Sequence, residues 1–311
     1  MRNFKSILCI ALALILSFGF FASANVVSAE AIEGPINVYT RDAASGTREG
    51  FEKAIGFEGE LTDAANEVSS NGDMANKVGQ DANGIGYCSL STDFEAAGVL
   101  PVAFEGVEAT IKNTVSGDYK LARPFAFATR AADEYESEEK AQLIQAFIAF
   151  VTESIEGKEA VLAAGGIVDV EEGKAWEEIK ADYPIVDQDN SAIEIVTVGS
   201  TSVEKVINSA LENFAPLAGG FQFRMNQTGS GDGWKRVLGE EKDGPNAGDI
   251  GFASRNFKEE EAVDNAMLSG VVCQDAIVVV VNAENAGIHN LTTEQIYDIF
   301  TGAITEWMEV K

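Results

Sequence analysis

"INVYTRDAASGTREGFEKAIG", residues 36–56, decides how the rest of the chain is read. Its first five residues are β-rich, its middle is a turn of small residues led by Arg41, and its end predicts a helix turning Phe51, Ala54 and Ile55 inward. Three readings compete for Ser45, Gly46 and Thr47: a solvated helix cap, a nucleophile's turn, or a cradle for an anion. Cap and cradle share one physics. Backbone N–H groups at a helix start lack intrahelical partners, small hydroxyls point the same way, and the helix dipole adds partial positive charge.

The design recurs along the chain. "VTVGSTSVEKV" (196–206) and "MNQTGSGDGWKRV" (225–237) each end a strand in a Gly/Ser/Thr turn before a helix, and "DIGFASR" (249–255) delivers Ser254 and Arg255 to a turn. One such turn is an ordinary capped helix. Several in one chain point to a tetrahedral oxyanion, with Arg41 and Arg255 able to fork onto it. The nucleophile reading lacks its partners. Ser45 is outside a G-x-S-x-G frame, no P-loop occurs, the carboxylates form no evident acid/base pair, and the sole histidine, His289, lies in a loop before a capped helix. Binding without turnover is the expectation: no enzyme, no cofactor, no metal.

Length and charge agree with this. The chain has 311 residues, enough for two medium domains. Residues 1–29 read as a signal peptide: Arg2 and Lys5, an apolar run from Ile7 to Phe21, then Val27 and Ala29 at the cleavage site. Cys9 lies too early for a lipid anchor, and the expected protein is extracytoplasmic: secreted, cell-surface, or periplasmic if the cell has an outer membrane. With 22 Lys+Arg against 50 Asp+Glu the net charge is −28, which argues against nucleic acid and anionic membrane as partners. A small anion is still admissible, because donors in a closed cleft act at short range while distant carboxylates are screened. Cys88 and Cys273, each beside a strand-like stretch, are expected to be buried free thiols.

Strands alternate with helices, the pattern of an α/β protein with parallel sheets. "IGYCSL" (85–90) and "IEIVTV" (193–198) read as strands, and "DAIVVVVN" (275–282) as a strand covered on both faces. Ser137 is expected to cap one continuous helix to Gly157, with Leu143, Ile144, Phe147, Ile148, Val151 and Ile155 as its core stripe. A second helix follows "GSTS" and buries Val203, Val206, Ile207, Ala210 and Leu211, and a last one begins with a capping box at Thr292 and Gln295. Residues 168–190 lose the apolar period and read as a connector with one short helix.

These segments resemble the phosphate-binding proteins of Pst-type ABC transporters. "VTVGSTSVEKVINSALENF", "QTGSGDGWKRV", "DIGFASRNFKEEE", "DAIVVVVNAEN" and "LTTEQIYDIFTGAITEWMEV" are similar to that family's amino-terminal half. "INVYTRDAASGTREGFEKAI", "GIGYCSLS", "LARPFAFATR" and "EGKEAVLAAGGIVDV" are similar to its carboxy-terminal half, which here comes first. The order implies either a circular permutation, with residues 168–192 joining what are termini elsewhere, or a fragment of a tandem duplication or a mispredicted gene.

The resemblance implies the type II periplasmic-binding-protein fold, a two-lobed α/β clamshell with mostly parallel sheets and two hinge crossings, near "LARPFAF" and "VVVVNAEN". One lobe would be continuous, 122–282, and the other assembled from 30–121 and 283–311. It implies phosphate contacts at Arg41, Ser45, Gly46, Thr47, Thr201, Ser202 and Ser230, with Ser254 and Arg255 alongside. Arg255 stands where some members have a proton-accepting aspartate, a role that Asp249 or another carboxylate would have to fill. The implied function is a monomeric solute-binding protein delivering inorganic phosphate to a membrane ABC permease. Sulfate, molybdate, tungstate, a phosphorylated organic, or a non-transport sensor or adhesion role on the same fold stay open.

Overall fold

Val and Ile crowd the apolar run 276–281, and that run lies inside the strand that organises the protein. In the computed structural model, which describes residues 32–310, Ser269–Asn282 forms one 14-residue strand whose segment from Ala276 onward is wholly buried. The expected signal peptide, with Cys9, lies outside the described residues.

Ten strands make up the sheet: β1 (Asn37–Arg41), β2 (Asn66–Val68), β3 (Gly84–Ser89), β4 (Val99–Phe104), β5 (Ala122–Thr129), β6 (Glu194–Gly199), β7 (Gln222–Gln227), β8 (Ile250–Ala253), β9 (Ser269–Asn282) and β10 (Asn290–Leu291). The main path runs β2-β1-β3-β9-β5-β8-β6-β7, with β4 paired to β9 and β10 to β4. Parallel pairs stand at both ends, β1 with β2 and β3, β6 with β7 and β8. In the middle β9 runs antiparallel to β3, β4 and β5. Parallel pairs with helices on their faces are the expected α/β pattern, and the two long antiparallel strands are the crossings between two cores.

The larger core gathers Phe125 and Phe127 of β5, Val272 and Cys273 of β9, and an aromatic knot of Phe147, Phe150, Trp176, Phe214 and Phe221. The other takes Ala276, Ile277, Val279 and Val281 of β9 with Phe51, Phe57, Tyr87, Phe300 and Trp307. The two ends of the described chain meet beside it: Ile36 N–H donates to Thr305 O at 2.7 Å and Trp307 N–H to Gly34 O at 3.0 Å.

Several local expectations are met. Ser45 caps the helix Gly46–Ile55, Thr292 and Gln295 form the capping box, and Val203, Val206, Ile207, Ala210 and Leu211 are buried. Cys88 and Cys273 are free and buried, with burial pushing the Cys88 thiol up to about 12. Three details differ. Ala54 faces solvent, because Phe51 and Ile55, four apart, already make the inward stripe. The helix expected to run to Gly157 breaks at Ser154, whose hydroxyl donates to Phe150 O at 2.6 Å and accepts from Gly157 N–H at 2.8 Å, ending Glu138–Glu153 and starting Ile155–Ala163. Ile155 is consequently only half-buried. Residues 168–190 do more than connect: Trp176, Ile179, Ile185 and Val186 are buried in the larger core.

Phe214, fully buried against Phe147, Phe150, Trp176 and Phe221, carries the test of that core. Phe214→Ala is expected to lower unfolding free energy by roughly 3–5 kcal/mol in urea titration followed by circular dichroism.

Candidate functional site

The strand-to-turn junctions converge where the two cores meet. Thr47 Oγ1 lies 2.8 Å from Ser202 Oγ, and Ser230 Oγ lies 3.2 Å from Ser254 Oγ, although these residues come from four separate turns. All four side chains are buried. Gly46 fits among them only because it has no side chain: a Cβ there would meet Ser230 Oγ at 2.3 Å and Ser254 Oγ at 3.1 Å. The turn before Ser202 also needs a glycine, since Gly199 has φ +116° and a Cβ there would stand 2.1 Å from Phe252 O.

At the centre is a residue that the motif reading passed over. Arg123, the second residue of β5, donates from Nη1 to Thr47 Oγ1 at 2.8 Å and to Ser254 Oγ at 3.3 Å, and from Nη2 to Ser202 Oγ at 3.0 Å. Its Nε and Nη2 both reach Asp275 Oδ2, at 3.0 and 2.8 Å. Arg123 and Asp275 are register partners across β5 and β9. Asp275 is fully buried; burial drives its pKa upward, opposed by Arg123 and by Ser89, whose hydroxyl donates to Oδ1 at 2.8 Å. Asn71 completes the cluster, donating from Nδ2 to Ser202 Oγ at 2.7 Å. The signal was in the sequence: a lone arginine inside "LARPFAF" and a lone aspartate at the head of "DAIVVVVN" interrupt apolar strands, and a charge in such a place is paired when buried.

Most of the motif residues gather here. Ser45, Gly46, Thr47, Ser202, Ser230 and Ser254 are buried at or beside the cluster, Ser45 accepting from Arg48 N–H at 3.3 Å. Arg41 is buried at the end of β1, near enough to Arg123 for the two charges to oppose each other. Its Nη2 donates to Ser69 O at 3.0 Å, while its buried Nε has no partner among the described residues and is a spare donor. Burial lowers the pKa of Arg41, with Asp42 opposing.

Two expected residues stand elsewhere. Thr201 takes no part in the hydroxyl network among the described residues; it is half-buried and lines an adjoining cleft of about 650 Å³ with Asp42, Ser70 and Glu204. Arg255 is claimed by carboxylates. Its Nη1 and Nη2 fork onto Glu261 at 2.6 and 2.8 Å, and its Nε stands 2.9 Å from Glu49 on the helix Gly46–Ile55. Two anions already meet that guanidinium, so it is a clasp between segments and not an anion donor. Asp249 is likewise engaged away from the cluster, accepting from Val196 N–H at 2.7 Å and pairing with Lys140 at 3.0 Å.

Buried hydroxyls, backbone donors and a guanidinium are suited to holding an oxyanion. The sole histidine of the sequence, His289, is exposed and contacts Gly287 O. Among the described residues there is no group of side chains that would hold a metal ion, and no helix long and apolar enough to cross a membrane.

Residues 24–154 and 184–310 match the family described as PBP superfamily domain. The chain is 29% identical over 319 residues to phosphate-binding protein PstS 2 of Streptococcus agalactiae serotype V, covering 100% of this chain and 99% of that protein. A 26% match over 153 residues to phosphate-binding protein PstS of Staphylococcus saprophyticus covers 48% of this chain and 41% of that one. In three dimensions it is similar to the phosphate-binding protein of a phosphate ABC transporter from Streptococcus pneumoniae, with a TM-score of 0.62 at 26% identity, covering 89% of this chain and all of that one. These matches do not show a reversed order of halves. They do cover most of the chain, and the two-core α/β clamshell agrees with them: the chain belongs to the PBP superfamily.

Proposed function

We propose that this chain is an extracytoplasmic solute-binding protein that captures inorganic phosphate at the cluster around Thr47, Ser202, Ser230 and Ser254 and delivers it to an ABC permease. The observation that carries this is the convergence of four separated turns on one buried set of donors. The names of the full-length relatives point the same way. In this reading residues 30–121 with 283–311 form one lobe and 122–282 the other, β5 and β9 are the hinge, Ser45, Gly46 and Thr47 present a helix start to the anion, and Arg41 lends its spare donor. The protein acts as a monomer, without turnover.

The order of the halves belongs to the same proposal: the chain is a circular permutation of the common arrangement. Two observations favour it. The described ends lie hydrogen-bonded to each other through residues 34–36 and 305–307, and the Staphylococcus saprophyticus protein aligns over only about half of either chain. Termini so close can be joined with little cost. A chain with 311 linked to 30 and new ends opened between 168 and 174 is expected to fold and to bind phosphate as the parent does, by circular dichroism and titration calorimetry; an unfolded product counts against it.

Titration calorimetry of the chain lacking residues 1–29 is expected to show saturable heat with phosphate, and no heat with any tetrahedral anion would remove the assignment. Gly46→Ala tests the location. The added methyl displaces Ser230 and Ser254 hydroxyls, so phosphate affinity is expected to fall by about tenfold or more, whereas the same change at exposed Gly59 would leave it unaltered.

A further inference from the structure

The hydrogen-bond network assigns each hydroxyl a direction. Ser202 Oγ has two lone pairs, and both are filled, by Asn71 Nδ2 at 2.7 Å and Arg123 Nη2 at 3.0 Å. The Asn71 amide cannot be turned round, because its Oδ1 accepts from Ser89 N–H at 3.3 Å. The Ser202 proton therefore goes to Thr47 Oγ1, 2.8 Å away. Thr47 Oγ1 then accepts from Ser202 and from Arg123 Nη1, at 2.8 Å, so its own proton must be given to something outside the network.

The serine pair behaves in the same way. Ser230 Oγ accepts from Ser254 N–H at 3.0 Å, and Ser254 Oγ accepts from Arg123 Nη1 at 3.3 Å. The two hydroxyls are 3.2 Å apart, and whichever donates, the other has both lone pairs filled and one proton to give. All five N–H groups of Arg123 are used: Nε and one Nη2 hydrogen on Asp275, the other on Ser202, and the Nη1 pair on Thr47 and Ser254. The charge of Arg123 is balanced by Asp275, leaving orientation as its main effect.

We propose that Arg123, held by Asp275, is the positioning residue that fixes Thr47 and one of the Ser230–Ser254 pair as donors, and that the site therefore selects tetrahedral oxyanions in their dianionic form, monohydrogen phosphate over dihydrogen phosphate and sulfate with it. This rests on the proposed anion-binding role of the same cluster. The Asp275 carboxylate cannot take a ligand's proton, since Arg123 and Ser89 occupy it. The other charged groups nearby are Arg41 and Asp42, whose Oδ2 pairs with Arg41 Nη2 at 3.4 Å and whose Oδ1 accepts from Ala44 N–H at 3.0 Å. Cys88, Cys273 and Tyr119 also lie near Asp275, but burial pushes all three up, Cys88 to about 12, so none changes charge around neutral pH.

The test is titration calorimetry with phosphate and with sulfate, at about pH 6 and about pH 8, across the second ionisation of phosphate. The unaltered chain is expected to bind phosphate severalfold more tightly at the higher pH and to bind sulfate equally at both. Arg123→Gln frees the hydroxyls to turn and accept, so phosphate binding is expected to weaken about tenfold and to lose its preference for the higher pH. Arg123→Lys keeps the charge but has three donors for five places, and is expected to share that loss. Should Arg123→Gln not fold, the lysine variant and the unaltered chain decide. Phosphate binding with no rise in affinity toward pH 8, phosphate binding without sulfate binding, or a lysine variant with the parent's affinity and pH profile overturns the proposal. No heat from the unaltered chain with either anion overturns the anion-binding role and this proposal with it.

Discussion

An arginine and an aspartate facing each other across two adjacent strands hold this site together. Burying such a pair is costly, because each charge leaves water and the attraction between them repays this only when every remaining donor and lone pair is satisfied. Here they are: Asp275 accepts from Arg123 and Ser89, and the rest of the guanidinium is spread over three hydroxyls. The consequence is geometric. Strands β5 and β9 are bound to each other at the point where the two cores part, and the turns carrying Thr47, Ser202 and Ser254 are registered against that point.

The turns themselves are built from ordinary parts. Each is the end of a strand followed by a helix start, where small residues let the backbone turn sharply and leave N–H groups free. What makes them a site is mutual approach, and Gly46 measures how close that is, with Ser230 Oγ standing where its Cβ would be. Around the cluster, ion pairs tie the same segments together. Glu49, on the helix that starts at Gly46, meets both Arg255 and Lys258, the latter at 3.1 Å, so the chain beyond Ser254 is clasped to the chain beyond Thr47. A protein of net charge −28 can thus offer an anion a local set of donors, because the carboxylates that give the overall charge are elsewhere or already paired.

Much of this was legible in the residues. Alternation of strands and helices, the buried strand over 275–282, the caps at Ser45 and Thr292 and the three small-residue turns depend on local preferences, and the folded chain has them. Where the reading failed, a local rule met a competing contact. Ser154 bonded back to Phe150 and split a helix that its apolar stripe would have continued, and Trp176 with Ile185 drew a charged, aperiodic segment into the core. The site was half legible: Thr47, Ser202, Ser230 and Ser254 were in the motifs, whereas Arg255 was assigned to the anion because Glu49 and Glu261 are invisible as its partners until the chain is folded.

The sequence by itself determined which backbone segments become strands, which turns carry free donors and which class of ligand suits them, because these follow from residue types a few positions apart. Only the tertiary structure decided that Arg123 is central, that Asp275 holds it, and that Arg255 and Thr201 stand aside. The role of Arg123 depends on partners 76 to 152 residues away in the chain, brought within hydrogen-bond distance by the fold and, for Asp275, by strand register. A lone arginine in an apolar strand announces that a partner must exist; which partner, and which hydroxyls it turns outward, is settled by packing.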